Sequence, residues 1–245
     1  MNINATFEKL RTMKLMGFEN AYREVYNTGT NAGFTNDELI AHLVDSEYDD
    51  RYNKKLARLI KAAGFKHRST LDQVDYREQR TLDKNQILRL QTCDWIKKSK
   101  DLLITGPTGV GKSFIACALG FQACVNGYKV LYTTTGKLFD KLLFAKADGT
   151  YLKEVEKIAR MDLLIMDDFG LKPIDSNTIT ILLDIIDDRN RKKSTIITSQ
   201  IPVKDWYECI GEPTIADAIM DRLVNGSYRI EIQGESMRKY LKNDD

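Results

Sequence analysis

The stretch LLITGPTGVGKS, residues 102 to 113, decides the fold. Its first four residues form an apolar run of strand type, and its last eight satisfy G-x-x-x-x-G-K-[ST] in full. The segment that follows, SFIACALGFQACV, has the apolar spacing of a helix, so the pattern sits where a phosphate loop requires it, between strand and helix. Such a turn exposes a row of backbone N–H groups and the positive end of a helix dipole, which together suit a polyphosphate. Gly106, Gly109 and Gly111 allow the backbone to wrap an anion. With Pro107, Thr108, Val110 and the first helical residues to Phe114, they make up the expected ATP-binding loop. Lys112 is expected at the terminal phosphates and Ser113 is expected to offer its hydroxyl to Mg2+.

Downstream of the loop, the apolar runs KVLYTTT, LLIMDD and STIITSQ alternate with helical stretches. Strands that are apolar along nearly their whole length, separated by helices, predict a parallel sheet buried on both faces, hence an α/β fold. In such a sheet the ligand crevice lies at the carboxyl ends of the strands. LLIMDDFG, residues 163 to 170, delivers two acids to that crevice. Asp167 is the natural partner for Mg2+, and Asp168 is placed to hold and polarise an attacking water. Ser199 and Gln200 end another strand with polar groups. D-F-G at 168 to 170 is not accompanied by a kinase glycine loop or an H-R-D, and D-x-x-G at 167 to 170 is not followed by N-K-x-D, so adenine is the expected base.

Upstream of the loop the pattern is helical. Phe7, Leu10 and Met13, then Phe18, Tyr22 and Val25, predict two short helices broken at Gly17, and a longer helix is expected from an N-cap at Asn36 to Ala63. A connector leads to one further helix from Asp83 to about Trp95. The chain is therefore read as a small all-α domain over residues 1–65, a connector over 66–82 and the α/β domain over 83–245. Charge on the long helix is segregated: DSEYDD is acidic, whereas residues 51 to 68 hold seven Lys/Arg and no acid. Arg51, Lys54, Lys55, Arg58 and Lys61 recur at steps of three and four and so share a side. That side reads either as a surface for DNA phosphates or as the solvated face of a packed helix.

Composition excludes several classes. Hydrophobic residues at 42% and charged residues at 29% argue against disorder. No apolar run approaches the roughly 18 residues of a membrane span, and the N-terminus lacks the pattern of a secretory signal, so a cytoplasmic protein without membrane attachment is expected. Cys93, Cys117, Cys124 and Cys209 include no C-x-x-C pair, and His42 and His67 are the only histidines, which argues against structural zinc and for reduced, packed thiols. Net charge is only +2; residues 1 to 100 carry 18 Lys/Arg against 14 Asp/Glu, so the basic excess lies in the helical part.

The P-loop, the two-acid strand, the polar strand end and the late arginines together resemble an AAA+ ATPase. More narrowly, KLRTMKLMGFENAY, LLITGPTGVGKS, LLIMDDFGLKPID, PTIADAIMDRLV and RIEIQGESMRK resemble the IstB family of insertion-sequence transposition helpers, close relatives of the DnaC helicase loaders. The resemblance implies an ATPase that assembles with ATP between subunits on duplex DNA and recruits a partner transposase. Arg222, in MDRL, would be the finger that reaches a neighbouring subunit's nucleotide, and Arg238, in GESMR, the sensor-2 arginine of its own. Gln200 would be sensor 1. Two departures stand out: Asp168 occupies a position where many AAA+ proteins have Glu, and Gln200 one where relatives commonly have Asn. A replicative helicase loader, a small-molecule P-loop kinase and a nonenzymatic DNA-binding module are the alternative readings.

Overall fold

A computed structural model describes residues 3–29, 33–76 and 81–237. It falls into two compact units, residues 1–58 and 59–245.

The first unit is helical: α1 (Ile3–Thr12), α2 (Met16–Thr28) and most of α3 (Asn36–Ala63). Phe7, Ala21, Val25 and Leu43 form its buried apolar centre. The break between α1 and α2 falls at Lys14, which adopts φ 58°, rather than at Gly17. Gly17 is instead inside α2, where a Cβ would lie 2.4 Å from the Ser46 carbonyl oxygen and 2.8 Å from Glu47 Cα; its lack of a side chain is what lets α2 lie against α3. Glu19 is 1% exposed and is held between Arg11 and Arg23 at 2.9 and 2.8 Å, which keeps its carboxyl below the ordinary range. The cap of α3 is Thr35, not Asn36. Its N–H and hydroxyl meet Glu38 Oε2 at 2.7 and 2.8 Å, while the Glu38 N–H donates back to Thr35 Oγ1 at 3.3 Å.

The second unit is built on strands β1 (Leu102–Thr105), β2 (Val130–Thr134), β3 (Leu163–Phe169), β4 (Ser194–Ser199) and β5 (Tyr228–Glu231), all parallel in the order β2-β3-β4-β1-β5. Leu102 stands beside both Ile196 and Tyr228, and Leu163 beside Ser194, so the amino ends of the strands are nearly level. Before the sheet, the expected helix from Asp83 to Trp95 is two: α4 (Lys84–Gln91) and α5 (Asp94–Lys97), separated by Cys93 at φ 59°.

Helix α6 (Lys112–Val125) is apolar nearly all round, with Ile115, Ala116, Cys117, Ala118, Leu119, Ala123 and Cys124 buried, because it covers the middle of the sheet. The other main helices are α7 (Thr135–Ala147), α8 (Tyr151–Ala159), α9 (Ser176–Arg189), α10 (Trp206–Ile210) and α11 (Pro213–Val224). They enclose a second apolar cluster with Leu103, Leu164, Met166, Phe169 and Ile197, completing the two-sided burial that apolar strands demand. Near the amino ends of the strands Arg189 is 2% exposed. It donates to Thr195 Oγ1 at 3.1 Å and to the carbonyls of Ile158, Met161 and Ser194 at 2.9, 3.0 and 2.5 Å. All four cysteines are free and three are buried. Among the described residues no helix is long and apolar enough to cross a membrane.

Candidate nucleotide site

Between β1 and α6 the chain turns through Gly106, Gly109 and Gly111, at φ 150°, 84° and 94°. These are values that side chains resist. A Cβ on Gly106 would also meet the Ile232 carbonyl oxygen at 2.2 Å, and one on Gly109 would meet Ser236 Oγ at 2.1 Å. The Met237 N–H donates to the Gly109 carbonyl at 2.9 Å, so residues 236–237 of the GESM stretch close over the loop. Val110 is 1% exposed and roots the loop in the core. Lys112 is 6% exposed and donates to the carbonyls of Gly106 and Pro107 at 2.7 and 2.8 Å. Burial lowers its pKa, and the charges of Asp168 and Asp167 oppose that shift. Thr108 Oγ1 donates to Gln200 Oε1 at 2.7 Å, which brings the polar end of β4 to the loop. The Phe114 carbonyl, one residue past Ser113, accepts from Ser69 Oγ at 3.1 Å.

Asp167 is fully buried at the end of β3. Its Oδ1 accepts from Ser113 Oγ at 2.8 Å and from the Thr198 hydroxyl, and its Oδ2 accepts from the Tyr132 hydroxyl at 2.5 Å. Lys66 Nζ stands 3.9 Å from Oδ2. Burial, then the bond to Asp167, pushes the Tyr132 phenol well above its usual pKa, so it remains a donor. One carboxylate and one hydroxyl, side by side at a helix N-terminus, are hard oxygen donors that fit Mg2+ brought in with nucleotide phosphates. Among the described residues no group of three His, Cys, Asp or Glu is placed to hold a metal ion by itself.

Asp168 is the next residue but has a different environment. The β3–β4 register shifts between Met166 and Phe169, and Asp168 takes φ 60°, its N–H donating to Thr198 Oγ1 at 3.1 Å. A left-handed conformation costs about 1–3 kcal/mol for most side chains, less for Asp. The irregularity separates the two acids: Asp167 is sealed, while Asp168 lines an open cleft of about 560 Å3 with Lys137, Lys172 and Asp175.

The late arginines fare differently. Arg222, in α11, donates from Nη1 to the Ala218 carbonyl at 2.7 Å and from Nε to Asp187 of α9. Both helices end there before the chain enters the amino ends of β4 and β5, whereas the P-loop leaves the carboxyl end of β1. The chain therefore does not bring Arg222 to its own P-loop. Arg238 lies outside the described residues. On α3, Arg51 pairs with Glu47 at 2.5 Å and Lys54 with Asp50 at 2.7 Å, and Arg58 Nε donates to the Lys54 carbonyl at 3.3 Å; with Lys55 and Lys61, all five basic residues are exposed. Sequence reasoning did not anticipate Tyr132, Thr198, Lys66 or Ser236 at this site. Only Thr198, a polar residue late in an apolar strand, carried a readable signal.

A family model described as an IstB-like ATP binding protein matches residues 8–244. A relative from Sinorhizobium fredii, named as an insertion sequence ATP-binding protein, is 42% identical over 239 residues, covering 98% of each chain. The relative named for ATP binding in IS1162 of Pseudomonas fluorescens is 41% identical over 198 residues, 80% of this chain and 86% of its own. In fold, the crystal structure of the DnaC helicase loader is similar with a TM-score of 0.55 at 18% identity, covering 72% of this chain and 99% of that one. The architecture is thus that of an AAA+ domain.

Proposed function

Because the chain belongs to the IstB-like family of insertion-sequence ATP-binding proteins, we propose that it is an ATP-hydrolysing switch of transposition that assembles on duplex DNA and recruits a partner transposase. The observation that carries this reading is a division of labour within the fold. Lys112, Ser113 and Asp167 converge at the P-loop, while Arg222 is braced at the other end of the sheet, away from its own P-loop, which supports a role at a neighbouring subunit's nucleotide.

In this reading residues 106–114 hold ATP, and Ser113 and Asp167 hold its Mg2+, which supplies charge neutralisation at the phosphates. Lys112 exchanges its two loop carbonyls for phosphate oxygens. Asp168 accepts a proton from water as the water oxygen bonds to the γ-phosphorus and the β–γ bridging bond breaks. Gln200, tied to Thr108, orients that water in this reading. Arg222 of a neighbour, and Arg238 in cis, neutralise the developing charge. Loss of the γ-phosphate removes what the neighbour grips, so hydrolysis resets the assembly. Residues 1–65 form the DNA- or transposase-contacting part, 66–82 the connector and 83–245 the ATPase, acting in the cytoplasm.

Sedimentation of the protein with duplex DNA tests the reading. Mg-ATP should drive assembly on DNA and ADP should not, and Arg222→Ala should block the ATP effect. Equal assembly with both nucleotides overturns it.

A further inference from the structure

Lys66 belongs to a short segment pinned along α6 by three anchors. The Phe65 ring fits only because residue 120 is glycine: a Cβ there would lie 2.6 Å from Phe65 Cε1 and 2.7 Å from Ile165 Cδ1. Ser69, 1% exposed, donates to the Phe114 carbonyl at 3.1 Å. Between them, the backbone of Lys66 and His67 lies beside the buried Cys117. The result places Lys66 Nζ 3.9 Å from Asp167 Oδ2, with the lysine side chain 43% exposed and the carboxylate fully buried. An ammonium therefore reaches, from the solvent side, the same carboxylate that lies 2.8 Å from the Ser113 hydroxyl.

We propose that Lys66 is a positioning residue that shares Asp167 with the divalent cation of the bound nucleotide, so that metal–nucleotide binding and docking of segment 65–69 oppose one another. The proposal rests on the reading that Ser113 and Asp167 hold the metal. Two cations served by one buried carboxylate repel each other, and strengthening either weakens the other by the same factor. Lys66 is the mobile partner, because a half-exposed lysine regains its hydration on leaving, whereas Asp167 is fixed by three hydroxyl donors. Segment 65–69 then reports whether the metal is bound.

The test uses the full chain as wild type, Lys66→Met, Lys66→Arg and Asp167→Asn. A fluorescent ATP analogue is titrated at increasing Mg2+, and amide hydrogen exchange of residues 65–69 is followed with ATP in Mg2+ or in EDTA. Lys66→Met should bind the analogue at about fivefold lower Mg2+ than wild type, the size of effect expected of a partly exposed pair. Lys66→Arg should behave as wild type. In wild type, Mg-ATP should accelerate exchange at 66–69 and ATP in EDTA should not; in Lys66→Met the two conditions should give the same exchange. If Asp167→Asn abolishes the Mg2+ dependence while Lys66→Met leaves both its midpoint and the exchange difference unchanged, the proposal is overturned and the metal assignment stands. If Asp167→Asn leaves the Mg2+ dependence intact, the metal assignment fails and the proposal falls with it.

Discussion

Ser113 Oγ donates to Asp167 Oδ1 at 2.8 Å, joining the first turn of the P-loop helix to the end of β3. The two side chains come from stretches 54 residues apart in sequence. Ser113→Ala and Asp167→Asn should each weaken ATP binding in Mg2+ by about 10- to 100-fold, at least the cost of losing a partner near a metal. Binding of ATP in EDTA should change little. Isothermal titration in the two buffers reads the difference, and equal losses in both would refute the metal role.

Arg189 sets the stability of the opposite end of the sheet. Burial lowers its pKa to about 10 against the pull of Asp101 and Asp162, so it remains charged at neutral pH, and its N–H groups meet a hydroxyl and three carbonyls. Arg189→Met removes the guanidinium and strands those acceptors. Urea unfolding should show a loss of about 3 kcal/mol or more, since each buried group left unpaired costs about 1–3 kcal/mol.

Asp101 lies nearby, accepting from the Thr195 N–H at 2.7 Å. Burial raises its pKa from 3.8 to about 6, against the pull of that bond and of Arg189. The folded state therefore binds the proton more tightly than the unfolded state. Its contribution to stability is full below the unfolded value and is lost as pH rises through about 6. Asp101→Asn keeps the acceptor and removes the titration. Relative to wild type, it should gain on the order of 2 kcal/mol between pH 4 and pH 7, measured by urea unfolding at both. A constant difference would remove the assignment.

The basic side of α3 is partly neutralised within the helix, because Arg51 and Lys54 already have carboxylate partners in Glu47 and Asp50. If it binds DNA phosphates, neutralising Arg51, Lys54, Lys55 and Arg58 together should lower the slope of log affinity against log salt by about 2 rather than about 4. An unchanged slope returns the surface to a solvated helix face.

Much of this site was legible because phosphate binding fixes local spacing: the loop glycines, Lys112 and Ser113 must be neighbours in sequence, and acids at a strand end must reach the crevice. What was not legible depends on register. Tyr132 and Thr198 meet Asp167 only once β2, β3 and β4 are laid side by side, and Lys66 arrives through the packing of Phe65 on Gly120. Strand β5 escaped notice because it buries only Ile230 and shows no apolar run, as an edge strand can. Thr35 and Glu38 did spell a capping box that the choice of Asn36 overlooked, and Gly17 marked a helix contact rather than a helix end.

The central claim is that Arg222 acts on a neighbour's nucleotide. Mixing two inactive proteins tests it most directly: Lys112→Ala cannot hold ATP but keeps its arginine, and Arg222→Ala holds ATP but lacks the finger. With duplex DNA and Mg-ATP, the mixture should recover hydrolysis that neither protein shows alone, against an expected loss of about 10³-fold or more for Arg222→Ala. A mixture no more active than the sum of its parts, with Arg222→Ala still folded and binding ATP, would contradict it.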